Sequence, residues 1–316
     1  MALLGIDLGG TKLALAIFNN EGKVLFKETA TLNTLIGSAV GKLACDQIGK
    51  AIHIAELQGN KIESIGISVP GISHITTGTV WAPNIPGWDD YPLLQEVKAV
   101  SDKIPVTIDS DRACYILGES WQGNAKGCRD AIFLSVGTGI GAGILINGEI
   151  LRGSRDIAGC IGWMALKGPF EKKYISCGCF EYFASGEGIA KVARELLSDQ
   201  TDYSGELRRI PVEKITAKDI FKAYENNDQV AVKIIGLCVE FWGMAVANLV
   251  SLFNPEKIIF GGGVFGPGIP LISAIKEEAT KWAQPISIKQ VSFDSSGLAG
   301  DAGVYGAGFL ALKQLS

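Results

Sequence analysis

The chain has 316 residues, of which 47% are hydrophobic and 20% are charged, and its formal net charge is −4. A chain of this length and composition is expected to form two domains with sizeable cores, and it is too apolar for extended disorder. The slight acidity, without any block rich in Lys or Arg, argues against a nucleic-acid partner.

Nothing in the sequence predicts export or membrane insertion. An apolar strand starts at Leu3, which leaves no room for a signal peptide, a transit peptide or an N-terminal DNA-binding module. The most apolar run, residues 245–253, is much shorter than the roughly 20 residues that span a bilayer. We therefore expect a soluble, cytoplasmic protein without a membrane partner.

The cysteine and histidine contents limit the chemistry. Seven cysteines, an odd number, predict free thiols and not a disulfide framework. With only two histidines, His53 and His74, acid–base catalysis is expected to fall to a carboxylate.

Two short apolar strands joined by a glycine link open the chain and predict an antiparallel hairpin. Gly9 and Gly10 allow φ > 0 and the approach of a ligand to bare N–H groups. Thr11 adds a hydroxyl, Lys12 a positive charge, and Asp7 a carboxylate that could hold Mg²⁺ through water. An ordinary hairpin turn is the alternative interpretation.

The rest of the first half alternates between strands and helices. Residues 71–88 form a long connection between two of these strands, and long connections in α/β domains are often functional. An acidic turn, Asp109-Ser110-Asp111, follows a buried strand, at the strand end where such sheets bind ligands. The pattern predicts strands at 24–28, 62–69 and 106–108 and helices at 38–57, 92–101 and 113–121.

The second half repeats the plan of a strand, a glycine loop (137–141), a second strand, a tight turn and a third strand. The apolar helix 229–252 is either a core helix or a partner surface. A second glycine run, 261–263, follows a strand, and the small-residue helix 299–315 suits close packing onto the first lobe. The remaining predicted strands are 131–136, 142–146, 149–151, 257–260 and 286–291, and the remaining helices are 187–197, 217–226 and 270–282.

Seven motifs in this order resemble the ROK family of bacterial sugar kinases and repressors over nearly the whole chain. The motifs are DLGGTK (7–12), SVPG (68–71), APNIPGW (82–88), DSDRACYILGE (109–119), GTGIGAGILINGEILRG (137–153), GCFEYFASG (178–186) and NPEKIIFGGGV (254–264).

The resemblance implies an α/β, two-lobed actin-like ATPase (ribonuclease H-like) fold with a cleft between the lobes. The N-terminal lobe would comprise residues 1–120, completed by residues 297–316, and the larger C-terminal lobe residues 121–296. The implied activity is ATP-dependent phosphorylation of a hydroxyl on a hexose or N-acetylhexosamine, as in glucokinases. Such proteins associate as homodimers through the larger lobe.

The resemblance also implies roles for individual residues. Asp111 would be the general base, although an aspartate there could equally serve as a helix N-cap. A solvated helix start is the alternative for Glu181, turn chemistry for Asn84, and a simple turn for the last glycine run. ATP and Mg²⁺ would be bound by Asp7, Gly9, Gly10, Thr11, Lys12, Gly137, Thr138, Gly139, Gly261, Gly262 and Gly263, and the sugar by Gly71, Asn84, Ser110, Asp111, Cys160, Trp163 and Glu181.

The chain departs from the family at the zinc and sugar motifs. The usual Glu-x-Gly-His segment reads Cys160-Ile-Gly-Trp163, and two of the zinc cysteines fall on Lys172 and Tyr174, so that only Cys179 remains of four ligands.

Three thiols, Cys160, Cys177 and Cys179, would make a poor zinc site, because structural zinc takes four ligands. We therefore expect structural zinc to be absent and Trp163 to pack into the space of the metal.

Two functions follow. The first is an active sugar kinase, and the alternative is a non-catalytic sugar or nucleotide sensor that retains the kinase fold. The repressor branch is set aside, because its helix-turn-helix is missing from this sequence.

Overall fold

The computed structural model describes residues 1–101, 103–199 and 202–315. The strands are β1 (Ala2–Leu8), β2 (Lys12–Phe18), β3 (Val24–Thr31), β4 (Ile62–Val69), β5 (Ile72–His74), β6 (Thr79–Trp81), β7 (Val106–Ser110), β8 (Ala131–Val136), β9 (Ile140–Ile146), β10 (Glu149–Ile150), β11 (Lys257–Gly261) and β12 (Ser292–Ser295). The α-helices are α1 (Ser38–Leu57), α2 (Leu93–Val100), α3 (Asp111–Gln122), α4 (Cys179–Ala184), α5 (Gly186–Asp199), α6 (Ala217–Glu225), α7 (Gln229–Phe253), α8 (Ile272–Trp282), α9 (Ser287–Gln290) and α10 (Ala302–Lys313).

The chain divides into two compact units. The first unit contains Met1–Cys128, Ile150–Ala158 and Ser296–Ser316, and the second contains Arg129–Glu149 and Gly159–Ser295. The first unit thus extends beyond residue 120 and takes in a short segment after β10. The two units have the same number of residues, so the second is not the larger one.

The first unit is built on a five-stranded mixed sheet with the order β3-β2-β1-β4-β7. Strands β1, β4 and β7 are parallel, and their register places Asp7 beside Ser68 and Ser68 beside Asp109. Three polar side chains therefore stand in a row at the carboxyl ends of the strands, where open α/β sheets bind ligands.

Helix α10 packs against α3, β1 and β4 at backbone distance. A methyl group added at Gly66 would lie 1.9 Å from the carbonyl oxygen of Ala307, and one at Gly306 would lie 1.7 Å from that of Cys114. The glycines of this helix and of the elements beneath it therefore make the close packing possible.

The second unit repeats the arrangement, with the sheet order β10-β9-β8-β11-β12. Helix α7 is long and apolar enough to cross a membrane by length and composition alone, but 61% of its apolar window is buried inside the protein. Its side chains belong to the core cluster of this unit. Of the two interpretations of this segment, the structure supports a core helix.

Two sequence predictions are corrected. The 71–88 connection contains a small hairpin, β5–β6. The strand predicted at 286–291 is wrong, because this segment forms the short helix α9 and the strand β12 follows it. Ile288 and Val291, three residues apart, are buried, while Ile286 is 64% exposed, and this spacing is helical. The alternation of Ile286 and Ile288 in the sequence resembles a strand and explains the wrong prediction.

Candidate active site

Asp7, at the end of β1, is the partly buried carboxylate at the centre of the first unit's strand ends. Its Oδ1 accepts a hydrogen bond of 2.6 Å from the hydroxyl of Ser68. Burial raises the pKa of Asp7, and the Ser68 hydrogen bond and the charge of Lys12 offset part of this rise. Gly303 makes room for this carboxylate, because a methyl group there would lie 2.5 Å from Asp7 Cγ.

Asp111 is the first residue of α3 and not its N-cap. The cap is Ser110, whose hydroxyl accepts a hydrogen bond of 3.4 Å from Ala113 N. The pKa of Asp111 is raised to about 6, chiefly by burial and to a lesser extent by the charge of Asp7, while the charge of Arg112 and the hydrogen bonds from Arg112 and Tyr115 oppose the rise. A carboxylate with this pKa is a better proton acceptor than an ordinary aspartate and is still ionised at neutral pH.

Asp109 lies two residues earlier and forms a different kind of contact. Its Oδ2 is 2.6 Å from Nη1 of Arg152, and its Oδ1 accepts a hydrogen bond of 2.8 Å from Ser110 N. Asp109 thereby ties the end of β7 to the 150–158 segment of the same unit. Within the described ranges, the neighbouring carboxylate of Asp111 has no such ion pair, and its hydrogen bonds come from the backbone N–H of Arg112 and from the side chain of Tyr115.

The Gly9-to-Lys12 link forms the predicted tight hairpin, closed by a hydrogen bond of 2.9 Å from Gly9 N to Lys12 O. Neither glycine has a positive φ, so the expectation on that point is wrong. Gly10 instead allows Asn84 to lie close to the hairpin backbone, since a methyl group at Gly10 would lie 3.4 Å from Cβ of Asn84. Asn84 therefore lies against the hairpin, and Thr11 and Lys12 are exposed beside it.

Gly71 has a backbone role. Its φ is +84°, and an added methyl group would lie 2.2 Å from the carbonyl oxygen of Trp81. The turn after β4 and the approach of β6 therefore explain this glycine without a ligand.

In the second unit the first glycine loop contacts Glu181 of α4. Glu181 Oε2 accepts a hydrogen bond of 2.6 Å from Ile140 N, and a methyl group at Gly139 would lie 2.7 Å from the same oxygen. Burial raises the pKa of Glu181, while the Ile140 hydrogen bond and the charge of Lys191 lower it. Glu181 is thus a partly buried carboxylate, not a solvated helix start.

A cavity of ≈ 270 Å³ opens next to this loop. Its apolar wall includes Phe221, and Arg194 and Lys218 bring positive charge to it. A mixed wall of this kind suits a nucleotide, which has an aromatic base and an anionic tail. The lining residues are Gly137, Thr138, Gly186, Glu187, Ala190, Arg194, Thr216, Ala217, Lys218, Phe221, Gly263, Val264 and Pro267.

The predicted nucleotide-site glycines differ in what they do. Gly263 lines the cavity, and a methyl group there would meet nothing within 4 Å. At Gly261 a methyl group would lie 2.1 Å from the Phe133 ring, and at Gly262, where φ is +88°, it would lie 2.4 Å from Val136 O. Packing therefore explains Gly261 and Gly262.

The sequence predicts helices at these two segments but no site residue on either α5 or α6. The lining residues on these helices come together only through tertiary packing, and their one local signal is the capping box at the start of α6.

A larger cavity of ≈ 640 Å³ lies where the family's zinc motif falls, and its walls are mostly apolar. Trp163 is 58% exposed at its edge, so the prediction that this ring fills the space of the metal is wrong. Cys160 is partly buried just before it.

The thiols near this cavity make contacts other than metal ligation: Cys179 Sγ lies 3.9 Å from Lys167 O and Cys177 Sγ 3.7 Å from Gly178 O. Across the described ranges, no three His, Cys, Asp or Glu side chains are grouped as metal ligands. These residues do not form the family's zinc site, and the absence of zinc stays a prediction.

Comparison with known proteins gives the family. The ROK family model matches residues 3–314. The chain is 33% identical to a glucokinase of Halalkalibacterium halodurans, over 98% of this chain and 95% of the relative. It is 36% identical to a xylose repressor of Caldicellulosiruptor bescii, over 82% of this chain and 65% of the repressor.

Among solved structures, a ROK family glucokinase from Streptomyces griseus in complex with glucose and AMPPNP matches with a TM-score of 0.77 and 28% identity. The match covers 99% of this chain and all of that one. The predicted actin-like ATPase fold is confirmed, and the chain belongs to the ROK family.

Proposed function

We propose that this protein transfers the γ-phosphoryl group of ATP to a hydroxyl of a hexose or N-acetylhexosamine, with Asp111 as the general base. The observation that carries the proposal is the state of Asp111. Its carboxylate is not used as a helix cap, and its pKa is raised to about 6. A general base works best with a pKa near the working pH, and phosphoryl transfer needs one to accept the hydroxyl proton.

Each unit has groups that suit a nucleotide. The cavity lined by Phe221 and Gly263 suits the base, and Gly137 and Thr138 offer backbone N–H groups and a hydroxyl. In the first unit, the hairpin offers N–H groups and the charge of Lys12 to the phosphates.

Mg²⁺ would enter with the nucleotide and be held by Asp7 through water. The residues fit this ion, because burial and the nearby charge of Asp301 raise the pKa of Asp7, and a cation would relieve both effects. The ion would neutralise charge on the phosphates.

The sugar is proposed as a class, a hexose or N-acetylhexosamine. The relatives include glucokinases and an N-acetyl-D-glucosamine kinase, and Asn84 and Glu181 are the side chains that we assign to sugar hydroxyls. Association as a homodimer through the second unit, a cytoplasmic location and the absence of zinc also stay predictions.

The test is ADP release from MgATP, screened across neutral hexoses and N-acetylhexosamines. We expect release with at least one of these sugars and none without sugar. Absence of ADP with every sugar, together with thermal shifts on adding sugar or nucleotide, would support the sensor in place of the kinase.

The rate should be independent of pH above about pH 6, and it should fall as the pH is lowered below 6. The pKa of Asp111 is raised from 3.8 to about 6, so the base becomes protonated as the pH falls through 6. We expect kcat/KM for the sugar to fall about tenfold per pH unit below this value. Measurement at saturating MgATP separates this effect from titration of the nucleotide. A flat profile down to pH 4.5 would remove Asp111 from the rate-limiting proton transfer.

Glu181→Gln should weaken sugar binding without affecting ATP. Glutamine keeps an oxygen for the hydrogen bond from Ile140 N, but it loses the charge that strengthens hydrogen bonds from sugar hydroxyls. We expect the KM for sugar to rise about 10- to 100-fold with an unchanged KM for ATP. Exposed Glu225, on α6 of the same unit, provides the matched control Glu225→Gln. Equal sugar KM values for the two variants would contradict the assignment.

A further inference from the structure

Arg112, the second residue of α3, has two buried nitrogen atoms without a hydrogen-bond partner. They are Nε and Nη2 of its guanidinium group. Over the residues that the structure describes, it is the one side chain with two such atoms. A guanidinium group is always charged, and leaving its donors buried and unpaired opposes folding.

The identity of the two atoms indicates what is missing. The N–H groups of Nε and Nη2 point in the same direction along one edge of the planar guanidinium. This edge forms two parallel hydrogen bonds to the two oxygens of a carboxylate or of a phosphate. A lone hydroxyl would satisfy only one of the two donors.

The position of Arg112 relates it to the chemistry of the site. It follows Asp111 directly, and its charge lies close enough to act on the ionisation of that carboxylate. Asp111 itself accepts a hydrogen bond of 2.7 Å from the backbone N–H of Arg112 and not from its side chain. The Nε and Nη2 atoms of the guanidinium group therefore form no hydrogen bond with Asp111.

We propose that Arg112 is an oxyanion-binding residue next to the general base, and that its free edge receives a carboxylate or phosphate group of a bound substrate. The inference deepens the proposed function and rests on it for the source of the oxyanion. One source is an acidic substituent on the acceptor sugar, and the other is the phosphoryl group in transfer.

Three variants test this inference. Arg112→Gln removes the charge, Arg112→Lys keeps it but removes the paired donors, and Arg155→Gln removes an exposed arginine of the same unit as a control. Thermal shifts with inorganic phosphate report oxyanion binding without any turnover. Kinetics with a hexose, the matching hexuronate and the matching hexose phosphate report the source.

An acceptor-borne oxyanion predicts that both Arg112 variants raise the KM of the acidic acceptor 10- to 100-fold and leave that of the hexose unchanged. Binding of the transferred phosphoryl group predicts instead a fall in kcat of similar size with every acceptor. Both results support the proposal, and in both the phosphate-induced shift is lost while the ligand-free midpoint is no lower than that of the control.

Arg112→Gln behaving like Arg155→Gln in both phosphate binding and kinetics would overturn the inference, as would full retention of function by Arg112→Lys. The phosphate measurement is decisive even if no sugar is phosphorylated. Failure of the proposed kinase activity and failure of this inference therefore give different results.

Discussion

Replacing Asp111 with Asn is expected to lower kcat by 10²- to 10⁴-fold and at the same time to stabilise the protein. The first effect is the usual size of the loss of a general base. Asparagine keeps an oxygen that can accept the hydrogen bond from Arg112 N, so the start of α3 should stay intact. The KM for ATP should change little, since the proposed role of Asp111 is to accept the proton of the sugar hydroxyl.

The gain in stability follows from the raised pKa of Asp111. The folded state holds the proton up to about pH 6, whereas the unfolded chain releases it near 3.8. The ionised carboxylate therefore opposes folding above this window, by up to about 3 kcal/mol at pH 7.5. Asparagine carries no charge and so removes the cost of burying an ionised carboxylate. The thermal midpoint of unfolding should therefore rise by a few degrees.

The gain should shrink as the pH falls from 6 towards 4, because the wild-type carboxylate becomes protonated in the folded state. Asp90→Asn, at an exposed aspartate of the same unit, is the control and should alter stability by less than about 0.5 kcal/mol. A midpoint for Asp111→Asn below that of wild type at pH 7.5, or an unchanged kcat, would contradict the assignment of Asp111.

The parts of the site that follow a strand directly could be predicted from the sequence. A short apolar run ending in a polar residue indicates both the strand and the place where its ligands bind, and Asp7 and Asp111 were found in this way. The repeated pattern of strand, glycine loop and strand likewise predicts that the second half repeats the plan of the first, and the two five-stranded sheets agree with this. These signals lie within short segments of the sequence, so they can be recognised without knowledge of tertiary contacts.

Contacts between distant segments could not be predicted. Ser68 donates to Asp7 across 61 residues, and Arg152 reaches Asp109 from a segment that returns to the first unit after β10. The cavity of ≈ 270 Å³ combines two glycine loops with helices α5 and α6, which lie far apart in the sequence. The exposed ring of Trp163 is a second example. The size of a side chain indicates which space it could fill, but the sequence does not show whether the backbone places the side chain in that space.

Replacing Gly306 with Ala should destabilise the first unit by about 4 kcal/mol or more, although helix propensity alone favours the change. Alanine in the interior of a helix gains about 1 kcal/mol over glycine. Here the added methyl group would lie 1.7 Å from the carbonyl oxygen of Cys114. The obstacle is backbone, so no rotamer change relieves it, and α10 must move away from α3.

Gly236→Ala, at an exposed position of α7, is the matched control, because a methyl group there meets nothing within 4 Å. It should raise stability by about 0.5–1 kcal/mol. Chemical denaturation followed by fluorescence measures both variants. Phosphorylation should fall with Gly306→Ala, because α3 begins with Asp111 and loses its packing partner. Equal stability of the two variants would mean that α10 does not pack on α3 at this distance, and the position of Asp111 would then need another explanation.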